Sequence, residues 1–383
     1  MARKSSLEAS RIIAFLMIVC IHASSTYISN NHYVGELNWQ FANFLDGFGR
    51  IGPAIFVLIT GYGMCNSQTG VRKRLKSLLI PLPFFLLPTF VHYALDGYSP
   101  LATLWMFLRN LLTLGVWFYH LWYVFIILII YIISPWLNRF IQPLSKQECL
   151  RVTILLFVLF SAIPSINFFL TYTLLPDTLY ATKFGAFIMY YFIGAYMRLH
   201  ADLSRFSGLA KFSAFLVLNI AVVFMSTWYN SRFSPVFALS AVFNVTAAPA
   251  YPLAVFVSPS FDISSILCVL SAAAFFIWIL SFNFNSMLVN AVARLTYGAY
   301  IIHVFWLNTL LSVIGKSLDS LGYPLKIIFL IAAAFVLSIL SSYVLNTVGK
   351  GILNYRRRYH QKAGQTEILT AEEKESNSYA DTY

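Results

Sequence analysis

Within the apolar stretch from Glu8 to Ile28, Arg11 and His22 stand eleven positions apart. An α-helix turns 100° per residue, so eleven steps return the two side chains to nearly one azimuth, about 16 Å apart along the axis. A charge at the centre of a bilayer costs about 2.5 to 3.5 kcal/mol, so a face bearing both groups is expected to look into a protein cavity. The competing reading has Arg11 snorkelling to the headgroups and His22 bonding a neighbouring helix. A neutral histidine accepts a proton near pH 7, which is the chemistry of a general base that activates a hydroxyl.

Other polar groups expected in or near the bilayer are His92, His120, His303 and Arg50, whereas acidic residues are almost confined to Glu8 at the inner end of the first helix. The lack of a mid-membrane carboxylate counts against a proton-coupled pump. No Ser-His-Asp or Cys-His-Asn arrangement is visible. The histidines have no metal-ligand spacing, and no metal is expected. The run Gly70-Val-Arg-Lys-Arg-Leu-Lys76 is the densest cationic cluster before the C-terminal tail. It reads as an inside loop that is either a positive-inside anchor or a docking site for a phosphorylated donor. His120-Leu-Trp122-Tyr123 opens a span at the outer aromatic belt. Gly52-Pro53 and Gly61-Tyr62-Gly63 are expected to let the second span pack closely against the first.

The elements that must position these groups follow from composition. Of 383 residues, 59% are hydrophobic and only 10% charged, and the mean hydropathy is +0.73. Such a chain reads as an all-α polytopic membrane protein. The net charge of +12 has no soluble basic surface to occupy, so a nucleic-acid partner is not expected. Apolar windows predict spans near 9–28, 48–66, 77–95, 121–138, 151–170, 184–199, 212–229, 262–282, 296–314 and 325–346. Residues 100–119 read as an amphipathic segment against the bundle, and 235–260, with Pro235, Pro249, Pro252 and Pro259, as an external loop. Ten spans with both termini in the cytoplasm leave only Arg50, Arg109, Lys183, Arg232, Lys316 and Lys326 outside, and every other Lys and Arg inside. The N-terminus has features of a signal peptide, but Arg11 abuts its apolar run, and retention is expected. Cys20, Cys65, Cys149 and Cys268 form neither a disulfide framework nor a metal motif. No internal repeat is visible, which disfavours an inverted-repeat transporter. The membrane domain is expected over 1–350. Residues 351–383 read as a disordered cytoplasmic tail whose basic cluster, Arg356 to Arg358, rests on anionic membrane lipid.

Four stretches in register resemble the membrane acyltransferase 3 family, over residues 7 to about 346. They are Arg11 with His22, matching its Arg-x10-His pattern; Arg50 to Gly63, similar to its PxFFxxSGY segment with Thr60 in place of Ser; Phe118 to Tyr123 with Ser134-Pro135; and Leu295 to His303. The subgroup most resembled is the enterobacterial common antigen O-acetyltransferase type. The resemblance implies ten spans, a bacterial inner-membrane location, and transfer of acetyl from cytosolic acetyl-coenzyme A to a hydroxyl of a cell-surface or lipid-linked glycan. No permanently bound cofactor is implied. By position, His22 would be the catalytic histidine and Arg11 its partner, binding or orienting the donor. Arg72 and Arg74 would meet the coenzyme A phosphates. His120, Trp122, Tyr123 and His303 would line the acceptor side. Glu8 stands where the family more often has Asp, and Thr60 argues against a nucleophile there. His22 either deprotonates the sugar hydroxyl or carries the acetyl group covalently. The rival reading is a transporter or flippase of a lipid-linked sugar; a third is a structural partner in glycan assembly that tolerates loss of His22.

Overall fold

The computed structural model describes residues 5–29, 36–67, 70–95, 99–115, 118–170, 181–202, 204–242 and 261–380. Every regular element among them is helical. The first two spans form the centre. Helix α1 (Ser5–Ser29) is followed by α2 (Leu37–Gly49) and α3 (Gly52–Met64), and the latter two together make one apolar passage from Leu37 to Met64. The most apolar window is 61% buried in the first passage and 67% in the second, against 11% in Lys146–Ile166. The central helices therefore meet protein on most sides, while peripheral ones turn residues such as Trp136, Phe140 and Leu155 outward. Outward apolar side chains are what a lipid-facing surface requires.

Small residues explain how closely the central helices approach. A Cβ at Gly49 would lie 2.5 Å from the Met17 carbonyl oxygen, and one at Gly52 would lie 2.8 Å from that of Ala14. The break between α2 and α3 is thus pressed onto α1, and Pro53 is tolerated there because first-turn N–H groups have no partner within the helix. The expectation that both glycine pairs pack on the first span needs correction. Gly61 faces α10 (Ala181–Leu199), where a Cβ would come 2.1 Å from the Tyr191 carbonyl oxygen, and Gly63 meets nothing within 4 Å. Gly194 of α10 reciprocates, with a Cβ position 2.3 Å from the Leu58 carbonyl oxygen.

The basic run after the second span is a helix, α4 (Val71–Leu79), rather than a loop. Arg, Lys and Leu all favour helix, and Arg74 and Leu78, four residues apart, share its buried face. Helix α5 (Leu82–Leu95) continues it into one apolar passage, Val71–Leu95. The amphipathic segment forms α6 (Pro100–Leu112), started by Pro100 and by Ser99, whose hydroxyl accepts from the Ala102 N–H at 3.4 Å. It lies along α5, with Phe107 edge-on to Phe90 and Tyr93. A short turn, Tyr119–Leu121, leads into α7 (Trp122–Ile141).

Ser145 and Glu148 form a reciprocal capping box at the start of α8 (Lys146–Phe157). A π-helical turn, Val158–Ala162, joins α8 to α9 (Ile163–Leu170). Pro164 follows that turn and cannot donate to residue 160, and the wider turn absorbs the missing bond. Helix α11 (Gly208–Val242) runs beyond the expected span and through Pro235, so the first part of the 235–260 segment is helix rather than loop; residues 243–260 lie outside the described residues. Then come α12 (Ile266–Leu280), α13 (Met287–Ala293), α14 (Thr296–Ile314) and α15 (Tyr323–Ala380). The expected boundary at 350 falls inside α15.

Eight passages are long and apolar enough to cross a membrane, and Phe184–Leu199 and Ile266–Leu280 are shorter apolar helices. Together they correspond one to one with the ten windows read from the sequence. The chain is an all-α polytopic membrane protein.

Candidate active site

Three histidines from distant parts of the chain converge. His22 projects from α1, His120 from the turn before α7, and His303 from α14. Ring centroids lie 5.1 Å apart for His22 and His303, 4.9 Å for His120 and His303, and 6.4 Å for His22 and His120. His120 and His303 are 1% and 0% exposed, whereas His22 is only partly buried.

Backbone acceptors set the tautomers of the buried pair. His120 Nε2 is 2.9 Å from the Ile301 carbonyl oxygen, and His303 Nδ1 is 2.5 Å from that of Tyr300. A carbonyl only accepts, so each of these nitrogens carries the proton in its neutral ring. That leaves His120 Nδ1 and His303 Nε2 as lone-pair nitrogens, and both are buried without a hydrogen-bond partner among the described residues. His22 differs. Its Nδ1 is 3.0 Å from the Tyr119 hydroxyl, a group that donates or accepts, so His22 is the one ring of the three whose proton is not pinned by a carbonyl. The Tyr300 hydroxyl donates to the His120 carbonyl oxygen and fastens α14 to the turn.

A cavity of about 440 Å³ approaches this cluster from the other side of Tyr300. Glu8, Arg11, Ser77, Tyr131 and Arg294 are among its lining residues, as are Tyr123, Val124 and Tyr300. The Tyr300 ring lies 5.6 Å from His120 and 5.5 Å from His303, so the cavity stops one side-chain layer short of the histidines. The Tyr123 hydroxyl is buried without a hydrogen-bond partner among the described residues. Thr60 lines the cavity and donates its hydroxyl to the Phe56 carbonyl oxygen at 2.8 Å.

Arg11 therefore does not touch His22. It pairs with Glu8, Nη1 to Oε2, at 2.6 Å, and the nearly buried Glu8 fixes the guanidinium at the cavity wall. Arg74 is turned inward and does not line the cavity: its Nη1 donates to the Ser134 hydroxyl at 2.8 Å, tying α4 to α7. Arg72 is exposed on α4. Trp122, 37% exposed, packs at 5.9 Å from Tyr123 and 5.8 Å from Phe187, beside the histidines rather than among them. His92 stands apart, against Tyr93 and Phe305.

Sequence reasoning missed several groups. Asp46 is 2% exposed inside the second passage and pairs with Arg50 at 2.6 Å, while Arg50 lies 5.0 Å over the Phe261 ring. The expectation that Glu8 is the only carboxylate near a span is corrected accordingly, because the second passage begins eleven residues before its predicted start. Tyr119 and Tyr300 also went unassigned, although both lie within the motif stretches that carry the histidines. Among the described residues, no group of three His, Cys, Asp or Glu could hold a metal, and the four cysteines are buried outside any disulfide.

Comparison with curated proteins and with solved structures gives no match. A family model described as an acyltransferase domain matches residues 4–345. The match takes in all three histidines and every residue that lines the cavity except Asn346, and it favours acyl transfer over the transport reading. With three histidines converging one tyrosine layer from a cavity inside a helical membrane bundle, and the family match over nearly the whole length, the chain belongs to the acyltransferase 3 family and is a membrane acyltransferase.

Proposed function

We propose that the protein is an O-acetyltransferase of the bacterial inner membrane, moving acetyl from cytosolic acetyl-coenzyme A to a hydroxyl of a cell-surface or lipid-linked glycan. The observation that carries this reading is the convergence of His22, partly accessible and proton-mobile, with His120 and His303, which lie across a single tyrosine layer from a cavity lined by Arg11 and Arg294. Ten spans, with both termini in the cytoplasm and the basic tail on anionic lipid, put the Arg11 end of the cavity on the cytosolic side.

The thioester then enters from the cytosol and stops near Tyr123. The acceptor hydroxyl approaches His22 from the Tyr119 and Trp122 side, where partly exposed aromatics suit sugar stacking. His22 takes the hydroxyl proton as the oxygen attacks the thioester carbonyl, the carbon–sulfur bond breaks, and the proton passes to the departing thiolate. The Tyr123 hydroxyl is free to donate to the developing oxyanion. An acetyl-His22 intermediate uses the same residues in two steps and differs by leaving label on the protein. The Tyr300 ring must turn, or the acyl group pass beside it, for either route. Arg72 contributes charge at the cytosolic surface, and Arg74 holds α4 in place through Ser134.

The test is incorporation of labelled acetyl from acetyl-coenzyme A into membrane glycans, with and without the protein. Protein-dependent label in the glycan fraction is expected. Its absence across several glycan acceptors would contradict the reading.

A further inference from the structure

The cavity contains a cation to which the family motifs assign no role. Arg294 lines the cavity alongside Glu8 and Arg11. The Arg11 charge is met by Glu8 at 2.6 Å. Arg294 has no ion pair or side-chain hydrogen bond among the described residues, and its side chain is exposed. It sits between α13 and α14, directly before the first turn of α14, where Leu295 occupies the N-cap and offers no side-chain acceptor. Thr296, Tyr297 and Gly298 of that turn also line the cavity. Uncapped first-turn N–H groups and the positive end of a 19-residue helix favour an anion at this position, and an arginine beside them supplies paired donors.

A second feature points to a ligand in the same cavity. Tyr123, 6% exposed, lines it and has a hydroxyl with no hydrogen-bond partner among the described residues. A molecule that satisfies both features has an anionic group at one end and a polar acyl carbonyl at the other. Along α14 only about 10 Å separates Thr296 from His303. A flexible arm bridges that distance without the anion itself entering the bundle.

We propose that Arg294 and the N-terminus of α14 bind the phosphate of the acyl-thioester donor and thereby orient its acyl end toward Tyr123 and the histidines. This rests on the acyl-coenzyme A reading above. It moves the principal phosphate contact away from Arg74, whose guanidinium is already engaged by Ser134.

The experiment compares two donors in membranes containing the full-length protein: acetyl-coenzyme A, and acetyl-pantetheine, which lacks every phosphate. For each, kcat/KM is measured in wild type, Arg294→Ala and Arg294→Lys. The wild type is expected to prefer acetyl-coenzyme A. In Arg294→Ala that preference falls roughly 10- to 100-fold, mainly through the KM for acetyl-coenzyme A, as expected for loss of a charge-assisted hydrogen bond to phosphate. Arg294→Lys retains part of it. A general defect in folding or catalysis would lower both donors together and leave the preference intact. An unchanged preference in Arg294→Ala, with transfer still present, overturns this assignment while leaving the acyltransferase reading in place. A wild-type protein that uses neither donor overturns both.

Discussion

Tyr119 is the residue on which the behaviour of His22 turns. Its hydroxyl is the only side-chain group found within hydrogen-bond reach of that imidazole among the described residues, at 3.0 Å from Nδ1. When Nδ1–H donates to Tyr119, the lone pair sits on Nε2, and the ring is oriented and ready to accept a proton there. Tyr119→Phe removes the hydroxyl from a side chain that is 40% exposed and contributes little to the core. We expect kcat to fall about 10-fold, the scale of one lost orienting hydrogen bond, with donor KM and thermal stability unchanged. Steady-state kinetics of the variant check this, and unaltered kcat would show that His22 orients itself. The histidine and Arg11 were legible from the sequence because their spacing returns them to one helix face. The tyrosine was not, because its role depends on a turn 97 positions away folding back onto α1.

Helix crossings set where the catalytic groups stand. Helix α3 is clamped between α1 at Gly52 and α10 at Gly61, and at each contact a carbonyl oxygen occupies the space a Cβ would need. A backbone oxygen cannot rotate aside as a side chain would, so Gly61→Ala and Gly194→Ala should destabilise the bundle by about 1 to 3 kcal/mol each. Gly63→Ala, with nothing within 4 Å, should be silent. Thermal unfolding in detergent distinguishes them, and equal melting temperatures for all three would refute the close crossing. Most helices were legible in hydropathy, because a passage through lipid demands a long apolar run. The glycine faces were not, because a small residue says that something approaches but not which helix does. The buried Asp46–Arg50 pair was hidden for a related reason: a charge beside Gly49 and Gly52 lowers local hydropathy and makes a span appear to begin too late.

At the scale of the whole molecule, the proposed topology puts the α7–α8 connection in the cytosol and the α14–α15 connection outside. Since all four native cysteines are buried, a single introduced cysteine reports with little background. In intact cells, Ser320→Cys should react with a membrane-impermeant thiol reagent. Ser145→Cys should react only after the inner face is opened, and the reverse pattern would invert the protein and place the cavity mouth away from the cytosolic donor. The same orientation joins the two halves of the account: a phosphate-bearing donor entering between α1, α4 and α14, and an acceptor arriving at the aromatic side of His22. The most direct test of that account is transfer of labelled acetyl from acetyl-coenzyme A into membrane glycans, comparing wild type with His22→Ala at matched expression. We predict that the substitution removes protein-dependent label, by at least about 100-fold given the usual contribution of a positioned base. Label that persists at the wild-type level would take His22 out of the reaction and contradict the mechanism built around it.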